Sequence, residues 1–336
     1  WLLWDFGGRR DSQNSTQQTL AALQASQDSA SQQVAISAVQ NWFAQLSARA
    51  SLEAAQASLL AAEETAKAAR QRQLIGVATR EDELQAETAL AQAQLTVIQR
   101  QGELAASAGR LAVVAGYAAD TPLVLDYQDN ELDKLRQNAS AQPPALKQLL
   151  TLAQERRPEL IAQQLRVQAN TSELDRIAAQ ARPKLSLSAS NSSSRNDLSQ
   201  SQSGQVALTA TLPLFTGFQQ RHQEALAQSQ IAEQSIELSR IQQQVSLDVW
   251  LAWQQFSTAQ ARIAATDSLL AAASESSRAA LARYRAGLGN LLNVLNAQSS
   301  LADARQQHAR SRFDLAAARL QLAQASGLLV RDTAME

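Results

Sequence analysis

The sequence predicts a mainly α-helical protein with a small β part, built from one long antiparallel helical hairpin written twice. Three observations predict this. A glycine-broken helical stretch, Arg283-Tyr284-Arg285-Ala286-Gly287-Leu288-Gly289-Asn290-Leu291-Leu292-Asn293, has a weaker counterpart in Arg72-Gln73-Leu74-Ile75-Gly76-Val77-Ala78-Thr79-Arg80-Glu81-Asp82. The turn glycines lie 287 − 76 = 211 residues apart, and Trp42/Trp253 and Gly116/Gly327 repeat at the same offset. Fixed-offset self-similarity is the signature of a duplicated supersecondary unit. The composition agrees: aromatics make up 4% and Met occurs once, while much of the 45% hydrophobic content is Ala and Leu. Such residues suit helices packed side by side rather than a wide globular core.

Composition also narrows the function. The net charge of −1 provides no basic field for nucleic acid. Without cysteine there is no disulfide, thiolate metal site or thiol nucleophile. No run approaches the roughly 20 apolar residues of a membrane helix. No signal peptide is evident, and the opening Trp1-Leu2-Leu3-Trp4-Asp5-Phe6-Gly7-Gly8 reads as the end of a strand, so the chain is expected to be part of a longer one.

In order, a helical pattern runs from near Ser15 to about Leu74, with Val34, Val39, Trp42, Phe43 and Leu46 as its apolar stripe and no interrupting Gly or Pro. About sixty residues make a rod of roughly 90 Å, too long for a compact domain and suited to a coiled coil or helical barrel. After Gly76 a return helix is expected over 79–114, carrying Leu84, Leu90, Leu95, Val97, Leu104 and Leu111. Gly102 and Gly109, one heptad apart, are either a face for close backbone approach or simply tolerated. All six prolines lie between Gly116 and Gly217. There, Thr121–Asp126 suggests a short strand, Pro143-Pro144 starts a new segment, and a proline-started helix follows Arg157 to about Gln180.

The period then changes to two. Leu185, Leu187 and Ala189 alternate with serines, and Val206, Leu208, Ala210 and Leu212 alternate with Gln205, Ala207, Thr209 and Thr211. The reading is a β-hairpin joined by a long polar loop, Asn191 to Gly204. Its faces, one apolar and one small and polar, suit a closed barrel in lipid; an ordinary soluble hairpin is the other reading. The second long helix is expected over 221–282, with Val245, Val249, Trp250 and Trp253, and its return over 291–326. The expected segments are 1–8 (end of a first β-hairpin), 9–116 (first helical hairpin) and 117–183 (linker and helix). Then come 184–217 (second β-hairpin), 218–327 (second helical hairpin) and 328–336 (tail).

Several of these residues carry a resemblance. The Arg-x-x-x-Gly tips, Leu212-Pro213-Leu214-Phe215-Thr216-Gly217, Arg157-Pro158-Glu159-Leu160 and Asn293-Val294-Leu295-Asn296-Ala297-Gln298 are similar to the TolC-like outer-membrane factors over nearly the whole chain. The resemblance implies a homotrimer in which the long hairpins form an α-barrel across the periplasm and the strands join a 12-stranded outer-membrane β-barrel. It further implies an exit duct for efflux or type I secretion, with a periplasmic adaptor and an inner-membrane pump as partners and outer-membrane lipid around the barrel. Physics agrees with such an assembly, because closure by several subunits leaves no unpaired edge.

What the resemblance implies for residues concerns the tips. Arg72, Gly76, Val77, Arg283, Gly287 and Leu288 match adaptor-facing positions; the plainer role of the glycines is the tight reversal itself. Asp82 matches an acidic gate position, and Tyr284 a tyrosine that latches the closed state. Asn293 and Asn296 stand where relatives carry aspartate rings, which would leave this constriction neutral. Gly289 replaces a latch arginine, leaving Arg72, Arg80 and Arg285 as candidates for other tip bonds. The cluster Glu81-Asp82-Glu83 suits the dipole of a helix start on its own account.

Catalysis has little support. His222 and His308 lack metal-ligand partners at helical spacing and read as solvated, and no phosphate loop, serine elbow or HExxH motif occurs. The protein is therefore read as no enzyme and as needing no cofactor. The alternative to a channel is a periplasmic adaptor or coiled-coil scaffold with a small β-domain.

Overall fold

The computed structural model describes residues 1–122, 145–196 and 199–329. Six helices and three strands are described: β1 Leu2–Trp4, α1 Gly8–Leu74, α2 Arg80–Val114, α3 Leu146–Arg156, α4 Pro158–Ala179, β2 Lys184–Asn196, β3 Ser199–Thr211, α5 Gln219–Arg285 and α6 Leu291–Ala325. The chain divides into two compact units, Trp1–Ala30 with Thr151–Leu247, and Ser31–Leu150 with Asp248–Glu336.

The repeat governs the helices to the residue. Helices α1 and α5 have 67 residues each, and α2 and α6 have 35 each. All eight of their boundaries are offset by the same 211 positions as the turn glycines (219 − 8, 285 − 74, 291 − 80, 325 − 114). Both long helices start earlier than their apolar stripes suggested. Phe6 and Gly7 take positive φ ahead of α1, as Gly217 and Phe218 do ahead of α5, and reverse the chain there. Asp5 then caps α1, its Oδ2 accepting the Arg9 N–H at 2.8 Å. No glycine or proline lies within either long helix beyond its first residue, so nothing breaks the hydrogen-bond ladder.

In the first unit the sheet has the order β1-β2-β3, all antiparallel. The expected long loop Asn191–Gly204 is corrected here. The two strands continue through the Ser/Asn run, pairing from Lys184↔Thr211 to Asn196↔Ser199. The low strand propensity of that run is outweighed by cross-strand pairing, including a 2.8 Å hydroxyl–hydroxyl bond between Ser192 and Ser203. The register sets Leu185 opposite Ala210, Leu187 opposite Leu208 and Ala189 opposite Val206, so the apolar residues of both strands share one face. Val206 and Leu208 on it are 75% and 64% exposed. Elsewhere in this unit the buried Gln163 of α4 donates its Nε2 to the carbonyl and side-chain oxygens of Gln234, both at 3.0 Å.

The second unit buries mostly small residues. Phe43, Leu46 and Phe313 form one cluster, and Ala273, Leu301 and Ala304 another. Of the expected stripes, Phe43, Leu46, Val97 and Leu111 are buried, while Val34, Leu84 and Leu95 stay exposed. Gly109 supports a close approach, since a Cβ there would meet the Ala119 carbonyl oxygen at 3.2 Å; Gly102 faces open space. Thr121 and Pro122 are not in a strand, and the rest of the strand expected at Thr121–Asp126, the break at Pro143-Pro144 and most of the tail lie outside the described residues. No described helix is long and apolar enough to cross a membrane.

Candidate functional site

Both hairpin tips lie in the second unit, and each is built by its local sequence. Gly76 and Gly287 take φ of 77° and 79°, a left-handed conformation that costs glycine little. The next residue then turns its N–H back onto the last helical turn. Val77 donates to the Arg72 carbonyl at 2.9 Å and Leu288 to the Arg283 carbonyl at 2.8 Å. These are Schellman ends, which satisfy carbonyls the helix leaves over. The return helices are capped too. Thr79 and Asp82 form a capping box on α2, and the Asn290 side chain accepts the Asn293 N–H at 3.0 Å on α6.

Outside the turns, Leu74, Ile75, Val77, Leu288 and Leu292 are exposed. Behind them a small core holds Ala69, Ala86, Tyr284, Leu291 and Val294. Tyr284 is only 3% exposed, and its hydroxyl has no hydrogen-bond partner among the described residues. Burial pushes that phenol above its usual range, with the Asp82 charge adding to the effect and Arg72 opposing it. The contact that holds Tyr284 comes from Arg72. Its guanidinium donates to the Tyr284 carbonyl and lies 4.6 Å from the centroid of the same ring. Arg72, which the resemblance grouped with adaptor-facing positions, is therefore joined to Tyr284, the residue expected to act as a latch.

The other tip residues separate. Asp82 accepts from the Thr79 N–H at 3.0 Å and its hydroxyl at 2.9 Å, serving the helix cap without a bond to Tyr284. Arg285 reaches Glu64 of α1 at 3.1 Å on the surface. Arg283 is exposed, as are Asn293 and Asn296, which stand on one face of α6 a turn apart. Sequence reasoning missed Glu83. It is buried between Arg80, an ion-pair partner, and Arg70 at 3.9 Å, so it is more than a helix-dipole charge. An acidic residue at i+3 from Arg80 was the available signal, although Arg70 comes from the facing helix.

Away from the tips, His308 is not simply solvated. Its Nε2 lies 2.9 Å from Asp267 Oδ1 of α5, beside a buried 2.9 Å contact between the hydroxyls of Thr266 and Ser311. His222 is exposed. Among the described residues no group of three acidic, histidine or cysteine side chains is placed to hold a metal. The site's chemistry is that of a joint: helix caps, one aromatic–cation contact and exposed leucines, with no group positioned as nucleophile or base.

Residues 1–117 and 149–328 match the family described as "Outer membrane efflux protein". Protein CyaE of Bordetella pertussis is 29% identical over 338 residues, covering 99% of this chain and 70% of that protein. The outer membrane efflux protein BepC of Brucella suis is 26% identical over 282 residues; the alignment covers 82% of this chain but only 59% of BepC. The fold is similar to that of the outer membrane protein VceC from Vibrio cholerae, with a TM-score of 0.79, 21% identity, and 96% and 77% of the two chains covered.

Proposed function

The chain belongs to the outer membrane efflux protein family, and from that premise we propose that it forms a trimeric exit duct whose helical tips open to admit cargo. It is an outer-membrane protein extending into the periplasm, and it is not an enzyme. In this reading the strand segments 1–8 and 184–217 contribute to a closed β-barrel. The hairpins 9–116 and 218–327 line a periplasmic tunnel, and 117–183 counts as the equatorial or linker segment with its helix. The tips, Arg72, Gly76, Val77, Arg283, Gly287 and Leu288, meet a periplasmic adaptor, through which an inner-membrane pump supplies the energy. Asp82, Tyr284, Arg285, Asn293 and Asn296 form the gate.

The observation that carries this reading is the sheet register. Leu187 opposite Leu208 and Ala189 opposite Val206 give a two-strand apolar face, with Ser186, Ser188 and Ser190 on the other. A periplasmic adaptor or scaffold has no use for such a face exposed to water, whereas a lipid-facing barrel wall requires one. The exposed tip leucines support the adaptor contact, since apolar side chains at a turn gain from being covered. Both efflux and type I secretion fit a passive duct.

The test is the native mass and bilayer conductance of the full-length product extracted from outer membranes in mild detergent. The reading expects a trimer with a small resting conductance. A monomer that stays in solution without detergent and conducts nothing would overturn it.

A further inference from the structure

In the first unit, the joint between sheet and helices holds a small charged pocket. It measures about 230 Å³ and lies where β1 leads into α1 and α4 leads into β2. Three of its lining residues are cations, Arg9, Arg176 and Lys184, against one carboxylate, Asp5; Ser12 and Gln180 add neutral donors. These charges are not equivalent. Arg176 is held by Glu173 through two bonds of 2.7 and 2.5 Å, which fix its guanidinium and offset much of its charge. Asp5 commits its Oδ2 to the Arg9 N–H at 2.8 Å, and the Arg9 Nε stands 3.8 Å from the same oxygen. Lys184 is exposed and has no ion-pair partner among the described residues. One concavity thus gathers an excess of positive charge with N–H donors to spare.

The sheet register decides from which side the pocket is reached. Lys184 stands opposite Thr211, and Ser186 opposite both Thr209 and Leu2, so these residues share the polar face. Leu185 and Leu187 lie on the other face. Resting on the barrel reading above, in which the apolar face meets lipid, we infer that this pocket binds a single phosphate group, presented by a solute in the water inside the barrel. Its size sets the ligand class. Drug-sized ligands fill roughly 300–1,000 Å³. A pocket of about 230 Å³ takes the oxyanion head of a solute and leaves the remainder in the lumen. Its donors set the chemistry: a guanidinium fork matches two oxygens of a phosphate, and the lysine ammonium adds a compact charge. In a trimer the pocket recurs with each subunit, giving a cationic ring where tunnel meets barrel that concentrates phosphate-bearing solutes at that level.

Lys184 serves as its own reporter. Full-length protein in mild detergent is acetylated with an amine-reactive reagent at constant ionic strength, with inorganic phosphate replacing chloride. Mass spectrometry follows labelling of Lys184 and of Lys67, an exposed lysine on α1 in the second unit. The expected result is a saturable, several-fold slowing at Lys184 with no change at Lys67. Arg9→Gln keeps the main-chain cap on Asp5 and should lose most of this protection, whereas Arg278→Gln, at an exposed cation of α5 paired with Glu275, should keep it. No slowing at Lys184, equal slowing at both lysines, or full protection in Arg9→Gln overturns the site. A second arm places the protein in vesicles without added phosphate. Protection there by phosphatidylglycerol, but not by phosphatidylcholine alone, would identify a lipid headgroup as the source and overturn the lumenal placement. The native mass is read on the same detergent sample: one subunit overturns the barrel reading, while a trimer without protection overturns the site alone.

Discussion

At the scale of single residues, the tip turns on what holds Tyr284. Its hydroxyl is buried without a partner among the described residues, while its carbonyl and ring are both engaged by Arg72. A hydrogen bond from a charged donor is worth about 1.5–3 kcal/mol and a cation–π contact roughly 0.5–2 kcal/mol. Arg72→Met, which keeps an aliphatic stem but loses the guanidinium, is therefore expected to loosen the tip and raise resting conductance in planar bilayers. Tyr284→Phe removes only the unpartnered hydroxyl, so conductance should stay near that of the parent protein. The reverse ranking would mean that the hydroxyl finds its partner in the assembly. Little of this was legible from sequence. Arg72 and Tyr284 stand 212 positions apart, and only the packing of α1 against α5 brings them together. Asp82, by contrast, lies three residues from Thr79, and its capping role follows from local spacing alone.

At the scale of elements, the turns separate two glycines that look alike in sequence. Gly287 has φ of 79°, and a side chain there is strained even though nothing crowds it. Gly289 has ordinary φ, and an added Cβ would sit 3.4 Å from the Tyr284 nitrogen, a normal contact distance. Gly287→Ala should thus cost about 1–2 kcal/mol, and Gly289→Ala less than about 0.5 kcal/mol. Thermal unfolding of the detergent-extracted variants checks this; equal shifts would contradict the backbone argument. The helical hairpins were legible because glycine breaks and apolar spacing both act locally. The strands were legible only where Leu, Val and Ala alternate with polar residues. Through the Ser/Asn run no propensity signal exists, and the partner strand alone extends the pairing to Asn196 and Ser199. The start of α1, expected near Ser15, was missed for a similar reason: the first turns beyond Gly8 carry no apolar stripe, and backbone reversal at Phe6–Gly7 sets it, whereas α5, expected from about residue 221, begins at Gln219.

At the scale of the whole molecule, the sheet raises the question of its edges. With the order β1-β2-β3, strand β3 has a neighbour on one side only among the described residues. In an antiparallel pair, alternate residues direct their N–H groups to opposite sides, so half the β3 amides point away from β2. An unsatisfied backbone group in hydrocarbon costs several kcal/mol, and an open edge exposing a row of them could not persist in a bilayer. In the proposed barrel that edge is paired with a further strand. Hydrogen exchange on the detergent-extracted assembly distinguishes the possibilities. Closure predicts slow exchange at every amide from Val206 to Thr211, because both edges of β3 are paired. A period-two pattern, with alternate amides exchanging as fast as an unstructured chain, would mean that β3 remains an open edge. The apolar face of Leu187, Leu208, Ala189 and Val206 would then need some cover other than a barrel's surrounding lipid.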